Sequence, residues 1–530
     1  MVLGLDVSTQ SITALVMDPE RGSIVDRESV SFGADLPQYQ APHGFIAGGA
    51  AGEVHADPRM WLDALDLIFA RLGRSFDLSQ VTMIAGSGQQ HGSVYLDADF
   101  EARLASLDPA AGLAAQIAPS LTRRTSPIWM DTSTTAECRE IAAAVGGDDE
   151  LCRRSGSVAV ERFTGPQIRR FWKGDGAGYA ATRHMHLVSS FIASVLAGRS
   201  APIDFGDAAG MNLLDLAAFE WDPRLVDATA PGLMEKMPPV MPTATVIGVI
   251  SPYWVERHGC SAACRCAMFT GDNPASWIGM GAGRPGERVI SLGTSDTLFA
   301  AIDEPRTDPQ GFGHVFGNPA GGYLSLLCVR NGSLAREALR DRHELDWQAF
   351  DREALDRTRD AAGANLMLPF FGPEITPRGD VGGPILRGSA AFESGGRPDL
   401  EVRALLEGQF LNMRLHAQWM GPAAERILLT GGASANDGIA GIVADVFQAP
   451  VERLETGDSA ALGAALLAAA AAGHDLGGLQ AKCCRRDVGP RIEPDRSLAP
   501  VYDDALVRFR RLLEETRDMP GKTAGQSAAG

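Results

Sequence analysis

The sequence predicts an α/β protein built from two similar lobes, because one pattern of strand, polar turn and strand occurs twice. Residues 2–5 form an apolar run, residues 6–10 a turn and residues 12–17 a second apolar run, as in a β-hairpin. The same order returns at residues 288–301, with Ser and Thr again in the turn. Stretches with apolar residues at spacings of three and four alternate with the strands, which is typical of α/β folds.

The first lobe continues with a third strand, a helix and a buried strand. Residues 24–30 follow a turn rich in Asp, Pro and Gly and are the third strand. Asp57 and Pro58 are typical of an N-cap followed by proline at the first helical position. The apolar residues between positions 61 and 72 then fall on one helical face. Residues 81–85 predict a strand buried on both faces.

The second lobe adds a strand at residues 427–429, a glycine-rich turn that starts at Thr430, and a helix through about residue 447. The alanine-rich stretch at residues 460–473 predicts a packed helix. The proline-rich residues 238–242 are the predicted linker. The predicted boundaries are residues 1–245 for the first lobe, 246–518 for the second and 519–530 for a disordered tail.

Composition excludes several classes of function. The 530 residues carry 48 basic and 66 acidic side chains, a net charge of −18, which argues against a nucleic-acid partner. Eight scattered cysteines do not form a disulfide scaffold. The first residues lack a secretory signal, and no apolar stretch approaches the 20 or so residues that span a bilayer. We therefore expect a soluble, cytoplasmic protein without nucleic-acid or membrane partners, monomeric or homodimeric.

Two familiar phosphate-binding patterns do not fit. Residues 281–286 match G-x-G-x-x-G, but they precede a strand, whereas a dinucleotide loop follows a strand and opens a helix. Gly521, Lys522 and Thr523 resemble the end of a P-loop, but Thr516 stands where the upstream glycine is required. Any phosphate chemistry must therefore use turn amides and a metal ion.

The two hairpin turns offer such amides. A turn between strands lines up backbone N–H groups that can cradle a polyphosphate. The candidate residues are Ser8, Thr9 and Gln10 in the first lobe and Gly293, Thr294 and Ser295 in the second. If the lobes face each other, both turns meet across one cleft, where Asp6 would hold Mg²⁺. Taken alone, Asp6 is more simply a turn-capping aspartate, and the paired hairpins favour the metal site.

Other polar stretches are open to two interpretations each. Residues 271–275 suit a helix N-cap, with Asp272 or Asn273 before Pro274, and also a carboxylate, Asp272, that faces the cleft and accepts a proton from a hydroxyl; these two interpretations are compatible. Residues 88–92 are either a polar turn or a set of groups for a polyol. Residues 430–434 are either an ordinary turn or an approach for a flat ligand. Residues 161–165 alone favour a surface ion pair.

A histidine and three cysteines lie close together in the sequence at His258, Cys260, Cys264 and Cys266. Their spacing fits no zinc pattern well. We therefore interpret them as core or surface residues and expect no metal there.

Together, these stretches resemble the FGGY carbohydrate kinases of the sugar kinase/Hsp70/actin superfamily. Residues 6–10, 291–295 and 429–432 are similar to its phosphate-1, phosphate-2 and adenosine motifs. The resemblance runs in order from about residue 2 to 475 and is greatest to the xylulokinase branch, particularly its eukaryotic-type members. Further similar stretches are residues 88–95, 126–131, 161–165, 210–214, 269–276, 291–299, 331–334 and 406–410.

The resemblance implies two ribonuclease H-like (actin-like ATPase) lobes around a central cleft, with ATP and Mg²⁺ bound between them. It implies phosphorylation of D-xylulose to D-xylulose 5-phosphate, with a sibling kinase for L-ribulose, glycerol or gluconate as the alternative. A chaperone or filament ATPase and a silent sugar-binding regulator are the other classes considered. The implied residues are Asp272 as general base, His91, Arg162, Asp272 and Asn273 at the ketose, and Gly431, Gly432, Asn436 and Trp347 at the nucleotide.

Two residues depart from the pattern of many bacterial relatives. Ser8 stands where they have glycine, and Pro274 stands where they have Ala or Gly. Both departures suit the eukaryotic-type branch.

Overall fold

The computed structural model describes residues 1–355, 362–454, 457–484 and 489–517. The predicted tail at residues 519–530, and the predicted end of the second lobe at residue 518, lie outside the described residues. Within them the chain forms two six-stranded sheets covered by helices. The predicted α/β class and the repeated hairpin are confirmed.

The first sheet has the strand order β5-β6-β4-β1-β2-β3. Strands β1, β2 and β3 form an antiparallel meander, and β4 and β6 lie parallel to β1 on its other side. Its strands are β1 (Val2–Val7), β2 (Ser11–Asp18), β3 (Ser23–Ser31), β4 (Met83–Gly88), β5 (Val246–Val249) and β6 (Arg265–Gly271).

The second sheet repeats this topology in the order β9-β10-β8-β7-β11-β12. Strands β7, β8 and β10 are antiparallel, and β11 and β12 lie parallel to β7. In each sheet, the parallel central strands therefore end on the same side, and the turns and the helix N-termini that follow them lie there together. Its strands are β7 (Glu287–Leu292), β8 (Asp296–Ile302), β9 (His314–Gly317), β10 (Tyr323–Val329), β11 (Arg426–Thr430) and β12 (Val451–Arg453).

Helices cover the sheets. The helices used below are α1 (Pro58–Ser75), α2 (Thr164–Gly174), α3 (Val188–Ala197), α4 (Asp272–Gly279), α5 (Ser333–Arg342), α6 (Trp347–Leu355), α7 (Pro398–His416), α8 (Asp437–Phe447), α9 (Ser459–Ala471) and α10 (Ala499–Arg517). Other helices include Phe100–Ala105, Leu113–Ile117, Thr135–Val145, Asp148–Ser155, Gly176–Ala181, Phe205–Ala208, Pro223–Thr229, Pro252–His258, Ala390–Glu393 and Leu476–Cys483. Short strand pairs include His55–Ala56 with Ser126–Pro127, Ser93–Leu96 with His184–Leu187, Ile203–Asp204 with Val240–Met241, Leu214–Asp215 with Glu220–Trp221, Leu366–Leu368 with Ile385–Arg387, and Glu374–Ile375 with Arg378–Gly379.

Helix α1 starts where the sequence predicts. The Asp57 side chain accepts a hydrogen bond from the Arg59 amide, and Pro58 is the first helical residue. Trp61 and Phe69 are buried against the first sheet as part of its apolar core. Local signals are enough here because cap, proline and apolar face all lie within one segment.

The division between the sheets differs from the predicted boundary at residues 245 and 246. Val240 and Met241 pair with Ile203 and Asp204 rather than forming a free linker, and β5 and β6 belong to the first sheet. The sheets change between the end of α4 and the start of β7. Proline cannot donate to a ladder, so prolines also flank short edge strands, and composition alone does not separate that case from a linker.

Helix α9 follows the second sheet in sequence but packs against the first sheet. Its backbone lies so close to α4 that a Cβ atom on Gly463 would stand 1.8 Å from the Ala275 carbonyl oxygen. A Cβ atom on Gly279 would stand 1.9 Å from the Ser459 carbonyl oxygen. The alanine-rich helix predicted at residues 460–473 is confirmed as α9, and glycine and alanine let the two helices touch through their backbones. Across the described ranges, no helix is both long and apolar enough to cross a membrane.

We expect Gly463→Ala to destabilise the protein by about 1–3 kcal/mol, because the added methyl group must displace the α4 backbone. Gly441→Ala is the matched control, since Gly441 lies within helix α8 and a Cβ there meets nothing within 4 Å. Alanine in a helix interior should be neutral or stabilising by up to about 1 kcal/mol. Urea unfolding of both variants measures the difference, and equal midpoints would contradict the backbone contact.

Candidate active site

The turn between β1 and β2 is a closed loop at the end of a buried strand. The Ser8 amide and the Ser8 hydroxyl both donate to the Ser11 carbonyl oxygen, at 2.9 Å each. The Trp129 indole N–H donates to the Thr9 hydroxyl at 2.9 Å. Trp129 remains 44% exposed, so the indole covers the turn from one side. These contacts hold the predicted amide cradle, which ends at Gln10, in one conformation.

The turn between β7 and β8 is fixed from below by a buried ion pair. The Gly293 amide donates to Asp296 Oδ1 at 3.1 Å. Arg336 on α5 donates to both oxygens of the Asp296 carboxylate at 2.9 Å, and a third hydrogen bond joins it to Gln409 at 3.0 Å. Arg336 and Asp296 are fully buried, so losing either partner would leave an unpaired buried charge. The ion pair thereby sets the shape of the turn that carries Thr294 and Ser295.

Asp6 and Asp272 lie at the same edge of the first sheet. Asp6 and Thr270 are both paired with Ser87 on β4, and Asp272 follows Thr270 by two residues. The Ser87 hydroxyl donates to Asp6 Oδ1 at 2.7 Å. Three parallel strands that end together therefore bring two carboxyl groups, 266 positions apart by their residue numbers (272 − 6), to one place.

Burial raises the pKa of both carboxyl groups, and the charge of Asp6 adds to the shift at Asp272. Burial raises the pKa of Asp6 to about 6, against the stabilising hydrogen bond from Ser87. Burial, and then the charge of Asp6, raise the pKa of Asp272 to about 7. A carboxyl group with a pKa near neutrality can both take and release a proton at physiological pH.

Helix α4 orients the Asp272 carboxylate. Gly271 is the N-cap and Asp272 is the first helical residue, so the interpretation of Asp272 or Asn273 as the cap is wrong. The Asn273 amide N–H donates to Asp272 Oδ1 at 2.8 Å. The carboxylate therefore lies in the positive field of the helix N-terminus and points into the cleft.

His91 is held as a neutral imidazole in the wall beside Asp272. Its Nδ1–H donates to the Gly210 carbonyl oxygen at 2.9 Å, and its ring stacks on Phe163 with centroids 4.5 Å apart. Burial lowers the pKa of His91 to about 3, with the charge of Arg162 as the second cause. The Nε2 atom is then left as a hydrogen-bond acceptor.

Arg162 brings an unsatisfied cation to the same wall. Its guanidinium group lies over the Phe163 ring at 5.6 Å, and burial lowers its pKa. Among the described residues it forms no hydrogen bond or ion pair, so residues 161–165 do not form the surface ion pair that the sequence suggested. The five N–H donors of this partly buried guanidinium group are therefore available to a ligand.

Asn273 connects this wall to Asp272. Its Nδ2 donates to Gln90 Oε1 at 2.8 Å and to Asp272 Oδ1 at 3.2 Å. Gln90 is the residue before His91 in the sequence. The structure thus brings together all four residues predicted at the ketose, His91, Arg162, Asp272 and Asn273, with Asp6 beside them.

The glycine-rich turn after β11 lies next to the second hairpin turn. Thr430 pairs with Ser291, and a Cβ atom on Gly431, whose φ is 90°, would stand 2.3 Å from the Leu292 carbonyl oxygen. Around Gly432, by contrast, a Cβ atom would meet nothing within 4 Å. Gly431 therefore lets the two strand ends approach, while Gly432 keeps the surface open for a flat ligand.

Asn436 caps the helix that follows this turn. Its Oδ1 accepts hydrogen bonds from the Gly438 and Ile439 amides at 2.9 and 3.0 Å, and its side chain lies near enough to Asp351 on α6 to act on the pKa of that carboxyl group, lowering it against the larger effect of burial. Trp347 begins α6, is 45% exposed and lies under the Arg340 guanidinium at 4.5 Å. The Asp351–Asn436 contact thus brings the helix that carries Trp347 to the predicted nucleotide end of the cleft.

The remaining predicted stretches have structural roles. The G-x-G-x-x-G sequence at residues 281–286 precedes β7, as predicted. His258 bonds Asp66 at 2.8 Å and stacks on Trp254, and Cys260, Cys264 and Cys266 are buried. In the portion of the chain that the structure describes, no group of three or more His, Cys, Asp or Glu residues could hold a metal ion by itself.

Residues 124–279 match the N-terminal domain of the FGGY family of carbohydrate kinases, and residues 288–472 match its C-terminal domain. The chain belongs to the FGGY family of carbohydrate kinases. The gap between the two matched regions lies where the chain leaves the first sheet and enters the second.

Relatives of this FGGY kinase agree along nearly its whole length. It is 40% identical to a xylulose kinase of Rattus norvegicus, over 97% of each chain. It is 42% identical to xylulose kinase 2 of Arabidopsis thaliana, over 88% of this chain and 87% of the relative. Its fold is similar to the crystal structure of xylulose kinase from Rhodospirillum rubrum, with a TM-score of 0.80, 22% identity and coverage of 97% and 98%. The predicted pair of actin-like ATPase lobes is confirmed.

Family membership settles the general chemistry of the cleft. A carbohydrate kinase transfers a phosphoryl group from ATP to a sugar hydroxyl, so ATP and a small sugar are the two reactants. Sequence reasoning considered Gln90 only among the polyol groups at residues 88–92 and assigned no role to Trp129, Phe163 and Arg336, although the first two of these lie in stretches that carry the family resemblance. Those stretches were the sequence signal that could have found them. No such signal existed for Arg336, because its partner Asp296 is 40 residues away.

We expect the Asp272 carboxyl to titrate near pH 7 in the free enzyme and at a lower pH in Asp6→Asn, because that change removes a neighbouring negative charge. Aspartate labelled with ¹³C at the carboxyl group allows an NMR titration, in which the resonance lost in Asp272→Asn identifies the group. A midpoint near 4 in both proteins would contradict the coupled pair.

Proposed function

We propose that this chain is a xylulokinase that converts D-xylulose and ATP to D-xylulose 5-phosphate and ADP. The observation that carries the proposal is the Asp272 carboxyl group, oriented at the start of α4 with a pKa near neutrality beside His91, Arg162 and Asn273. The rat and Arabidopsis relatives are named xylulose kinases, which supports D-xylulose as the acceptor. These names do not favour the alternatives, L-ribulose, glycerol and gluconate.

The ketose is recognised by complementary polar groups. His91 offers the acceptor Nε2, because Nδ1–H is already bound to Gly210. Arg162 offers donors that no described residue occupies, and Asn273 keeps its Oδ1 as an acceptor. A hydroxyl group both donates and accepts, so this mixed set suits a polyol. A chaperone or filament ATPase needs no such set.

Asp272 acts as the general base of the transfer. Its carboxylate accepts the proton of the primary hydroxyl while that oxygen forms a bond to the γ-phosphorus and the bond from the γ-phosphorus to the bridging oxygen of ADP breaks. The Ser8 and Gly293 amides are used inside their turns, so the amides of Thr9, Gln10, Thr294 and Ser295 stabilise the charge that shifts between the phosphates. The protonated Asp272 then returns its proton to solvent when the products leave.

Asp6 is the residue that would hold Mg²⁺. Its Oδ1 accepts from Ser87, its Oδ2 is not used in that bond, and its pKa is raised by burial and by the charge of Asp458, which fits a cation as neutralising partner. Magnesium is commonly held by one or two carboxylates together with substrate phosphates and water, so a full protein cage is not required. When bound, the ion neutralises phosphate charge.

ATP binding completes the proposed site. The phosphates lie between the two hairpin turns, and the base lies against Gly431, Gly432 and Asn436, near Trp347. Helix α4 connects the sugar-binding wall to α9, so sugar binding can be coupled to closing of the cleft. A closed cleft would exclude water as a competing acceptor. A cytoplasmic location and a monomeric or homodimeric state remain predictions.

The substrate is tested with a panel of D-xylulose, L-ribulose, glycerol and gluconate in an ADP-release assay. We expect the highest kcat/KM for D-xylulose, because the names of the relatives and the polar set agree on a ketose. Equal or faster turnover of any other acceptor would reject D-xylulose as the substrate, and ADP release without acceptor measures water as the background.

We expect Asp272→Asn to lower kcat by at least about 10²-fold, since a positioned general base contributes about 10²–10⁴. Calorimetric titration with the ketose provides the control, because Asn preserves the shape of the side chain and should leave binding within a few fold. Near-normal turnover by this variant would exclude Asp272 as the base.

A further inference from the structure

A second buried carboxyl group lies behind the sugar-binding wall and has no part in the mechanism so far. Asp207 lies in the short helix Phe205–Ala208 and is 1% exposed. Asp204, at the start of that helix, is a different case, because four donors satisfy it. These are the Thr243 hydroxyl at 2.7 Å, the Thr270 hydroxyl at 2.8 Å, the Asp207 amide at 3.0 Å and the Gly206 amide at 3.1 Å.

The two oxygens of Asp207 differ in what they contact. Oδ2 lies 2.5 Å from the Ser189 hydroxyl on α3. Within the described ranges, neither Asp207 Oδ1 nor Gln90 Nε2 has a hydrogen-bond partner. The Gln90 amide is near enough to Asp207 to act on the pKa of that carboxyl group, lowering it against the larger effect of burial, so an unpaired acceptor and an unpaired donor, both buried, are neighbours. An unpaired buried polar atom is costly, which makes mutual pairing the favoured arrangement.

Gln90 continues this contact to the substrate site. Its Oε1 accepts from Asn273 Nδ2 at 2.8 Å, and the same Nδ2 lies 3.2 Å from Asp272 Oδ1. A chain of polar side chains thus runs from Asp207 through Gln90 and Asn273 to the proposed base. Gly271 makes room for it, since a Cβ there would stand 2.5 Å from Gln90 Cγ.

The direction of each amide in this chain follows from the acceptor at its end. A glutamine amide has a donor end and an acceptor end. Pairing of Asp207 Oδ1 with Nε2 requires the acceptor Oε1 to face Asn273 and Asn273 to present Nδ2 to it, as it does at 2.8 Å. The Oδ1 of Asn273 is then left for a hydroxyl of the sugar.

We propose that Asp207 is a positioning residue for the ketose, which orients Asn273 and the Asp272 carboxylate through the amide of Gln90. The inference rests on the proposed function, because it concerns how the same site holds the acceptor. Asp207 itself does not touch the substrate.

Asp207 can perform this positioning role with its carboxyl group protonated and uncharged. Burial, and then the charges of Asp204 and Asp272, raise the pKa of Asp207 well above its usual value. A neutral acid can donate Oδ2–H to the Ser189 oxygen and keep Oδ1 as the acceptor for Gln90. Asparagine reproduces this pattern, with Nδ2 toward Ser189 and Oδ1 toward Gln90, whereas leucine removes both bonds at similar volume.

The test compares Asp207→Leu, Asp207→Asn and the control Thr243→Val, which disturbs the same buried cluster on the side away from Gln90. We expect Asp207→Leu to raise the KM for D-xylulose about tenfold, on the scale of one lost hydrogen bond, with the KM for ATP unchanged. Asp207→Asn should restore the ketose KM to within about threefold, and Thr243→Val should leave both KM values unchanged. An equal effect of Asp207→Leu on both KM values, or none on either, would overturn the proposal.

A double-mutant cycle shows whether Asp207 acts through Gln90. We expect Gln90→Met to raise the ketose KM by itself and Asp207→Leu to add little to it, because both break the same chain. Independent, multiplying effects would overturn the proposal. Should Asp207→Leu fail to fold, Asp207→Ser, whose hydroxyl is too short to reach Gln90, carries the same expectations. Wild-type protein inactive on D-xylulose would instead reject the proposed function, so the two failures are distinguishable.

Discussion

The repulsion between two partly buried carboxyl groups is the constraint on which the active site depends. Asp6 and Asp272 lie at the ends of strands in the same sheet; burial raises the pKa of both, and the charge of Asp6 raises that of Asp272 further. The fold tolerates the pair because Ser87 and the start of α4 provide donors. A cleft arranged in this way favours ligands that bring a cation on one side and a transferable proton on the other.

The hairpin turn in the second half of the chain has a different electrostatic requirement. Its hairpin turn must offer amide groups to anionic phosphates in a protein whose net charge is −18. The Asp296–Arg336 pair is internally neutral and fully buried, so it fixes the turn without adding a net charge beneath it. Local dipoles therefore replace the long-range field that a basic protein would use.

The sequence was sufficient for features that depend on neighbouring residues. Both hairpins, the start of α1 and the alanine-rich α9 follow from local patterns of apolar and capping residues. The four residues that the family resemblance implies at the ketose lie near one another in the structure, and their role in binding a ketose stays a prediction. Contacts between distant segments could not be derived, such as Trp129 with Thr9, 120 residues apart, or Gln90 with Asn273, 183 residues apart. The prediction of a free linker at residues 238–242 was wrong for the same reason, because Val240 pairs with Ile203, which lies outside that segment.

The close contact between α4 and α9 also has a consequence for biosynthesis. The face of the first sheet that α9 covers, including the backbone at Gly4, is made of residues translated at the very beginning of the chain. Its covering helix ends only at Ala471. The nascent amino-terminal half, whose last sheet strand ends at Gly271, therefore emerges from the ribosome with an apolar face exposed and must wait for about 200 further residues, a period of roughly 10–40 s at the usual 5–20 residues per second. The two sheets are separate in topology, but the first cannot complete its folding before the second has been synthesised, because α9 follows the second sheet in the sequence.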